Sequence, residues 1–502
     1  MSMQSDPPPS AAAIPISSSG GQHPRGLYTL FFTEMWERFS YYGMRAMLVL
    51  FMVDAVRGGM GLTDEVATAI YGLYTAAVYL ACLPGGWVAD RLLGAQRSVW
   101  YGGMIIAAGH FTLAIPRHET FFLGLVLVVI GTGLLKPNIS AIVGELYPEG
   151  GARRDAGFSI FYMGINLGAF VGPLICSTLG EKWNWHYGFG AAGIGMVLGL
   201  VQFRLSRAQL GTAGRHAGNA NPISGGLRLG LGLAIIAAIL FVVFSLTGGV
   251  KINPVTFAKG AKNVLVAIAL FYFIGVFLFF GLDRIEKQRV GVILILFIAA
   301  ALFWAGFEQA GSSFNLFAER YTERRIGGIE FEIPAGWFQS LGPIFVIVFA
   351  PVAAALWIGL ARRQLDPSIP VKFGFGLLLL AVGFLVMAAA ARLVATGQKV
   401  WPTWLITTFL VHTFGELCLS PVGLSSVTKL APKRLVGQMM GIWFLAASLG
   451  NLLAGLLAGQ FKEDEMSLWP ALYLNITVLP TIAGILLILL AKPIRRLIGG
   501  TV

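Results

Sequence analysis

The sequence has little charge and almost no cysteine. Only 12% of its 502 residues are charged and 56% are hydrophobic, whereas a soluble chain of this length carries about 25% charged residues. The three cysteines lie far apart inside apolar segments. An odd, scattered set of this kind does not indicate a disulfide framework. We therefore predict an all-α polytopic membrane protein.

Several functional signatures are also missing. The sequence has no zinc-like Cys/His spacing, no nucleophile elbow, no Gly-x4-Gly-Lys-Ser/Thr phosphate loop and no basic patch with interleaved aromatic residues. The net charge of +12 comes from basic residues in short loops. We accordingly expect no enzyme activity, no metal, no cofactor, no nucleic-acid partner and no ATP-driven transport.

Apolar windows of roughly 20 residues, the length that crosses a bilayer, recur along the chain. An even number of spans places both termini on one side. With the termini inside, 21 of the 36 basic residues fall in inner loops and tails, which predicts an inner (cytoplasmic) membrane protein with cytoplasmic termini. The fourteen windows are 27–54, 65–90, 98–116, 119–148, 154–180, 186–204, 227–248, 260–282, 289–319, 335–361, 371–395, 402–430, 434–460 and 468–491.

The chain divides into four predicted parts. Residues 1–24 are rich in Pro, Ser and Gly and form a flexible cytoplasmic tail, not a cleaved signal peptide. Residues 25–204 form a first six-helix bundle, and 289–502 form a second. Residues 205–288 form a linker with two inserted, lipid-facing spans. Two six-helix halves are the architecture of the major facilitator superfamily.

Charged residues inside a span are costly, about 2.5–3.5 kcal/mol each when unpaired at the centre. They are tolerated where they pair or face a wet cavity. The first span has a stripe of such residues on one helical face, which predicts a pathway lining. The stripe comprises Glu34, Glu37, Arg38, Tyr41, Tyr42 and Arg45.

Three further spans each contain one buried charge: Lys136, Glu308 and Glu416. By depth in the bilayer, Arg45 can reach Glu308 in the outer half, and Lys136 can reach Glu416 further inward. Permanent structural ion pairs are the alternative to gates, and a snorkelling side chain is the alternative for Lys136. Intramembrane charges favour the functional interpretation.

Several motifs then resemble one family. The loop GGWVADRLLGAQR (85–97) resembles the cytoplasmic-loop motif of major facilitator transporters, with Gly86, Asp90, Arg91 and Gly94 as its members. Residues 34–43 (EMWERFSYYG) match a pattern of the proton-dependent oligopeptide transporter family. Five other segments resemble its helix signatures in the expected order: 131–140, 161–169, 303–313, 415–432 and 440–451.

The resemblance implies a proton-coupled symporter that imports di- and tripeptides by alternating access and uses no cofactor. Protons are then the coupling ion, and we expect a monomer. Another solute, such as nitrate, an amino acid derivative or a drug, is the open alternative. The implied proton-coupling residues are Glu34, Glu37, Arg38 and Glu308. The implied gating residues are Arg45, Glu308, Lys136 and Glu416. The implied substrate-binding residues are Arg45, Tyr41, Tyr42, Tyr79, Lys136, Asn166, Trp304, Glu308, Glu416, Trp443 and Phe444.

The sequence departs from the family at one informative position. Gly342 stands where the family usually has Asn, so a side-chain amide that would contact the peptide or a water is missing. The span 65–90 also contains no histidine, so the histidine relay of eukaryotic relatives is absent.

Overall fold

A computed structural model describes residues 22–149, 151–215, 253–325 and 330–498. Its described part is almost entirely helical. Residues 1–21 of the predicted tail 1–24 and the predicted span 227–248 lie outside the described residues. The helices are α1 Arg25–Val53, α2 Asp64–Val88, α3 Ala95–Leu113, α4 His118–Glu145, α5 Gly151–Lys182, α6 Trp185–Ser206, α7 Pro254–Phe279, α8 Arg284–Phe307, α9 Ser313–Tyr321, α10 Leu341–Arg362, α11 Ile369–Val394, α12 Thr403–Leu430, α13 Val436–Ala458, α14 Trp469–Leu489 and α15 Ala491–Ile498.

The described helices fit the polytopic prediction. Eleven of the described helical segments are long and apolar enough to cross a membrane. Helices α1 and α3, with 29 and 19 residues, are also of spanning length. The chain is therefore an all-α multi-pass membrane protein.

Most helix packing lies within each half of the chain, between helices that are often not consecutive. In the first half α1 packs on α5 and α6, while α4 packs on α2 and α3. In the second half α11 packs on α12 and α14, and α8 packs on α13. Helices α2 and α13 join the two halves on one side, and α5 and α10 join them on another. Helix α7 contacts both α2 and α13.

Several helix boundaries differ from the predicted windows, and two of the differences concern α8. Helix α8 begins at Arg284, inside the predicted linker, because Asp283 caps it. The Asp283 carboxylate accepts the N–H of Glu286 at 2.7 Å, and the Glu286 carboxylate accepts the N–H of Asp283 at 3.2 Å. The predicted span 289–319 is confirmed as part of one membrane-crossing segment, Arg284–Tyr321, but the helix within it is interrupted. A 3₁₀ turn at Glu308–Gly311 separates α8 from α9.

Polar contacts between the halves gather at one end of the molecule, which we call the sealed end. It is the end where α1 finishes at Val53 and α2 begins at Asp64. There Arg320 donates two hydrogen bonds to Asp64, at 2.7 and 2.8 Å. Asn315 donates to the carbonyl of Ala46 at 2.8 Å. The opposite end, where α1 begins, is called the open end.

Small residues allow the backbones of the two halves to meet near the sealed end. A Cβ placed on Gly72 of α2 would lie 3.0 Å from Cα of Gly455 on α13. No larger side chain fits between the two helices at this level without moving one of them. Interfaces between membrane helices commonly use small residues for this purpose.

Candidate functional site

The charged stripe of α1 divides into two groups along the helix. One group lies nearer the open end and consists of Glu34, Glu37 and Arg38. Arg45 lies 11 residues after Glu34 along α1. At 1.5 Å per residue this places Arg45 about 16 Å closer to the sealed end than Glu34. The two groups therefore act at different depths of the membrane.

The first group is a buried cluster of one guanidinium and two carboxylates. Arg38 Nε donates to Glu34 Oε1 at 2.7 Å and lies 3.1 Å from Glu37 Oε2. The second approach lacks hydrogen-bond geometry, so both oxygens of Glu37 have no hydrogen-bond partner in the described structure. Glu37 is fully buried, with 0% of its surface exposed. A buried carboxylate without a hydrogen bond is costly when ionised.

The second group joins the two halves near the sealed end. Arg45 forms a buried ion pair with Glu308, and its Nε donates to the Tyr71 hydroxyl at 2.6 Å. The guanidinium also lies 5.6 Å from the ring centroids of Tyr42 and Tyr71. The predicted contact between Arg45 and Glu308 is thus present. The 3₁₀ turn that begins at Glu308 is the local feature that ends α8 at this depth.

Lys136 and Glu416, the other predicted pair, have no ion-pair partner among the described residues. Both side chains are half-buried. Lys136 Nζ instead lies 4.0 Å from the ring centroid of Tyr79, a cation–π contact between α4 and α2. Glu416 lies on α12, in the other half, within electrostatic range of Tyr42 and Tyr162.

Asn166 lies on α5 and is 7% exposed. Its Nδ2 donates to the backbone carbonyl of Tyr162, one turn earlier in the same helix, at 2.9 Å. Contact of Asn166 with a ligand stays a prediction.

The predicted aromatic residues fall into two environments. Tyr41 is buried against Tyr42 and Tyr74, at ring-centroid distances of 5.2 and 6.3 Å. Trp304 packs on Phe303 and Phe307, and Trp443 is buried against Gly423 and Phe373 within the second half. Phe444 is half-buried. Contact of Trp304, Trp443 and Phe444 with a ligand stays a prediction.

The cytoplasmic-loop motif lies at the open end. Residues Ala89–Leu93 form a π-helical turn that ends at Gly94, whose φ of 77° favours glycine. Asp90 and Arg91 are exposed, and neither forms an ion pair with another described residue. Arg91 lies 5.7 Å from the Trp87 ring centroid. A Cβ on Gly86 would meet only Pro137, at 3.9 Å.

Sequence reasoning missed several polar residues of the site and of the contacts between the halves. Tyr71 is the hydroxyl partner of Arg45, and its only signal was a polar aromatic residue in an apolar span. Glu181 and Arg320, at the sealed end, looked like ordinary charges at helix ends. Among the described residues, no group of three His, Cys, Asp or Glu side chains is arranged to hold a metal ion.

A buried ion pair thus joins the halves at one end, and Lys136 and Glu416 have no ion-pair partner in the part of the chain that the structure describes. The POT family model matches residues 96–473. The chain belongs to the POT family. Its relatives include Peptide transporter YePEPT of Yersinia enterocolitica, 46% identical over 492 residues, covering 95% of this chain and 96% of the relative.

Other relatives agree with this assignment. The di-/tripeptide transporter of Lactococcus lactis subsp. cremoris is 38% identical over 488 residues, covering 95% of this chain and 97% of the relative. A solved peptide transporter POT in complex with sulfate is 42% identical, with a TM-score of 0.87, and covers 95% of this chain and 96% of its own. A mutant of a peptide transporter POT, solved in complex with alafosfalin, gives a TM-score of 0.86.

Proposed function

We propose that this POT family member is a proton-coupled symporter that imports di- and tripeptides by alternating access. The observation that carries the proposal is the pattern of pairing. Arg45 and Glu308 are paired at the sealed end, whereas Lys136 and Glu416 stand unpaired on different halves. A cation and an anion left free in this way offer one partner for each end of a zwitterion.

The charges of a short peptide match these groups. Its carboxylate and its ammonium are both costly to place in a low-dielectric cavity unless each is paired. Lys136 and Arg45 are the proposed partners of the carboxylate. Glu416 and Asn166 are the proposed partners of the ammonium. The relatives named as peptide transporters support this substrate class.

Aromatic residues then accept the side chains of the peptide. Tyr41, Tyr42 and Tyr79 surround the basic groups, with Tyr79 in contact with Lys136. Rings of this kind provide apolar contact area while their hydroxyls bind polar groups. Such a pocket suits a transporter that accepts many side chains.

Proton coupling is assigned to the Glu34, Glu37 and Arg38 cluster together with Glu308. Glu37 is the proposed proton carrier because its carboxylate is fully buried without a hydrogen bond. A proton on Glu37 removes the cost of burying that charge. Arg38 favours the ionised form, so a small displacement of Arg38 changes which form of Glu37 is more stable.

The two cross-half pairs are the proposed gates. Arg45 and Glu308 close the sealed end in this conformation, and Lys136 with Glu416 closes the open end in the opposite one. The sealed end is then the outer end, and both termini lie in the cytoplasm. We propose an inner-membrane location, a monomer, and two moving bundles at 25–204 and 289–502.

Uptake of a labelled dipeptide into proteoliposomes tests the proposal. An inward-directed proton gradient should accelerate uptake, and Glu37→Gln should abolish accumulation against a gradient while leaving peptide counterflow. Glu119→Gln is the matched control, because Glu119 is an exposed carboxylate in the first turn of α4. If the gradient does not accelerate dipeptide uptake, or if Glu37→Gln still accumulates peptide, the corresponding part of the proposal is wrong. Competition by nitrate and by an amino acid derivative distinguishes the alternative solutes.

A further inference from the structure

We propose that Glu181 is a positioning residue that holds the sealed end shut, independently of the Arg45–Glu308 pair. Glu181 lies in the last turn of α5 and is 9% exposed. Its Oε2 accepts the N–H of Ala335 at 2.7 Å, and its Oε1 accepts the N–H of Gly336 at 2.8 Å. Ala335 and Gly336 open the 3₁₀ turn Ala335–Ser340, which leads into α10. One carboxylate of the first half thus accepts two backbone hydrogen bonds from the turn that precedes α10 in the second half.

The chemistry of this contact is that of an anion at a helical N-terminus. The first N–H groups of a helical turn have no partner within the turn, and they carry partial positive charge. A carboxylate satisfies two of them at once, and hydrogen bonds to an ionised group are about twice as strong as neutral ones. Arg324 Nη1 lies 3.8 Å from Glu181 Oε2 and adds a cation from the second half.

The contact extends along one side of α5. Trp337 Nε1 donates to Thr178 Oγ1 at 2.9 Å and to the carbonyl of Leu174 at 3.0 Å. Ser340 donates to the carbonyl of Phe170 at 2.7 Å. Phe170, Leu174 and Thr178 are four residues apart, so the whole turn lies on a single face of α5. We call this set, with Glu181, the α5 clasp.

The turn lies so close to α5 that the α5 clasp requires a glycine at position 336. A Cβ placed on Gly336 would overlap the Ser177 hydroxyl and lie 3.3 Å from Glu181 Oε1. Ser177 is fully buried on α5. Gly336→Ala should therefore push the turn away from α5 and lengthen the hydrogen bonds to Glu181.

The position of the clasp gives it a role in the transport cycle. The Arg45–Glu308 pair joins α1 to the end of α8, whereas the clasp joins α5 to the segment before α10. Opening the sealed end must break both sets of contacts. Weakening the clasp should therefore favour opening even though the ion pair remains intact. This inference needs the two halves to separate, and it does not depend on which solute is carried.

Opening of the sealed end can be measured as the accessibility of a buried position on another side of that end, Thr68. Thr68 is fully buried on α2, with Gly459, the residue directly after α13, beside it. In a protein with Thr68→Cys as its single thiol, the rate of maleimide labelling in lipid nanodiscs reports opening of the sealed end. A second protein retains native Cys176 as its single thiol. Cys176 is fully buried on α5 and lies against Gly43 and Gly188 within the first half.

Glu181→Gln and Gly336→Ala should each raise labelling at position 68 by about tenfold, the change that corresponds to about 1.4 kcal/mol. Labelling of Cys176 should stay unchanged, because gate opening leaves the first half folded. Glu119→Gln is the control for removal of one carboxylate. Trp337→Phe keeps an aromatic ring but removes the indole N–H donor, and it should give a smaller increase in labelling. This variant serves as the test if the other two fail to fold. Unchanged labelling at position 68, or equal increases at position 68 and Cys176, would overturn the proposal.

Discussion

Replacing Glu308 with Gln tests the gate at the sealed end most directly. The change removes one charge of a buried cross-half ion pair and keeps an amide oxygen as an acceptor for Arg45. Breaking a buried pair from one side costs about 3–5 kcal/mol, while a hydrogen bond to a charged group exceeds a neutral one by about 1–2 kcal/mol. Because Tyr71 still accepts from Arg45 at 2.6 Å, we expect a net loss of about 2–4 kcal/mol for the sealed state. This shifts the ratio of sealed to unsealed molecules by about 30-fold to 1,000-fold.

Spin labels on both sides of the sealed end measure this shift. Val56 is 90% exposed in the loop after α1, and Lys399 is exposed in the loop before α12. The distance distribution between labels at these positions should gain a longer component in Glu308→Gln, and Glu308→Ala should enlarge it. Glu119→Gln should leave the distribution unchanged. An identical distribution in the native protein and in Glu308→Gln would refute the assignment of this pair as a gate.

Two further predictions follow from single contacts. Tyr71→Phe removes the acceptor of the Arg45 Nε–H, which should destabilise the protein by about 1–3 kcal/mol and appear as a lower melting temperature; an unchanged melting temperature would show that another acceptor replaces the hydroxyl. Asp54 lies after the end of α1, outside the spans. Partial burial alone would raise its pKa. Hydrogen bonds from Trp185 Nε1 and two backbone N–H groups outweigh the effect of burial, so the pKa of Asp54 lies below its usual value. Its ionised form therefore stabilises the fold above pH of about 4, and the melting-temperature difference between the native protein and Asp54→Asn should shrink as pH falls below that value; a difference independent of pH would contradict this.

The spans could be predicted from the sequence because each must present about 20 apolar residues to lipid. The break at Glu308 was not predicted, although Gly311, Ser312 and Ser313 after it are weak helix formers, because glycine also occurs inside continuous membrane helices. The turn depends instead on contacts made in three dimensions. Hydropathy therefore predicted one span where the structure has α8, a turn and α9.

The site was predictable where a charge lies deep in the membrane. Arg45 and Glu308 were matched by depth alone, since each needs a partner in a low-dielectric region. Lys136 and Glu416 were matched by the same argument, yet they are apart, because sequence does not determine which end of a transporter is closed. Glu181 was missed because its partners are backbone N–H groups, which have no sequence signature.

Gly342 gives a final test, at the position where the resemblance described above leads us to expect Asn. It lies on α10 two turns before Phe349, whose ring centroid is 5.1 Å from that of Phe414 on α12, so Gly342 lies on the face of α10 that turns toward α12. A Cβ at this position meets no atom within 4 Å, and Gly342→Asn should therefore fold normally. An added amide that reaches a bound peptide contributes about 0.5–1.5 kcal/mol, which changes apparent affinity by about 2-fold to 12-fold.

Competition by a panel of dipeptides against one labelled peptide measures the change. Gly342→Ala fills part of the same space without an amide, and it should share any gain in helix stability, up to about 1 kcal/mol. An effect on peptide preference that appears in Gly342→Asn and not in Gly342→Ala would assign specificity to a polar contact at this position. Equal effects of the two variants would mean that volume, rather than hydrogen bonding, sets the preference here, because only the asparagine can donate to or accept from the peptide backbone.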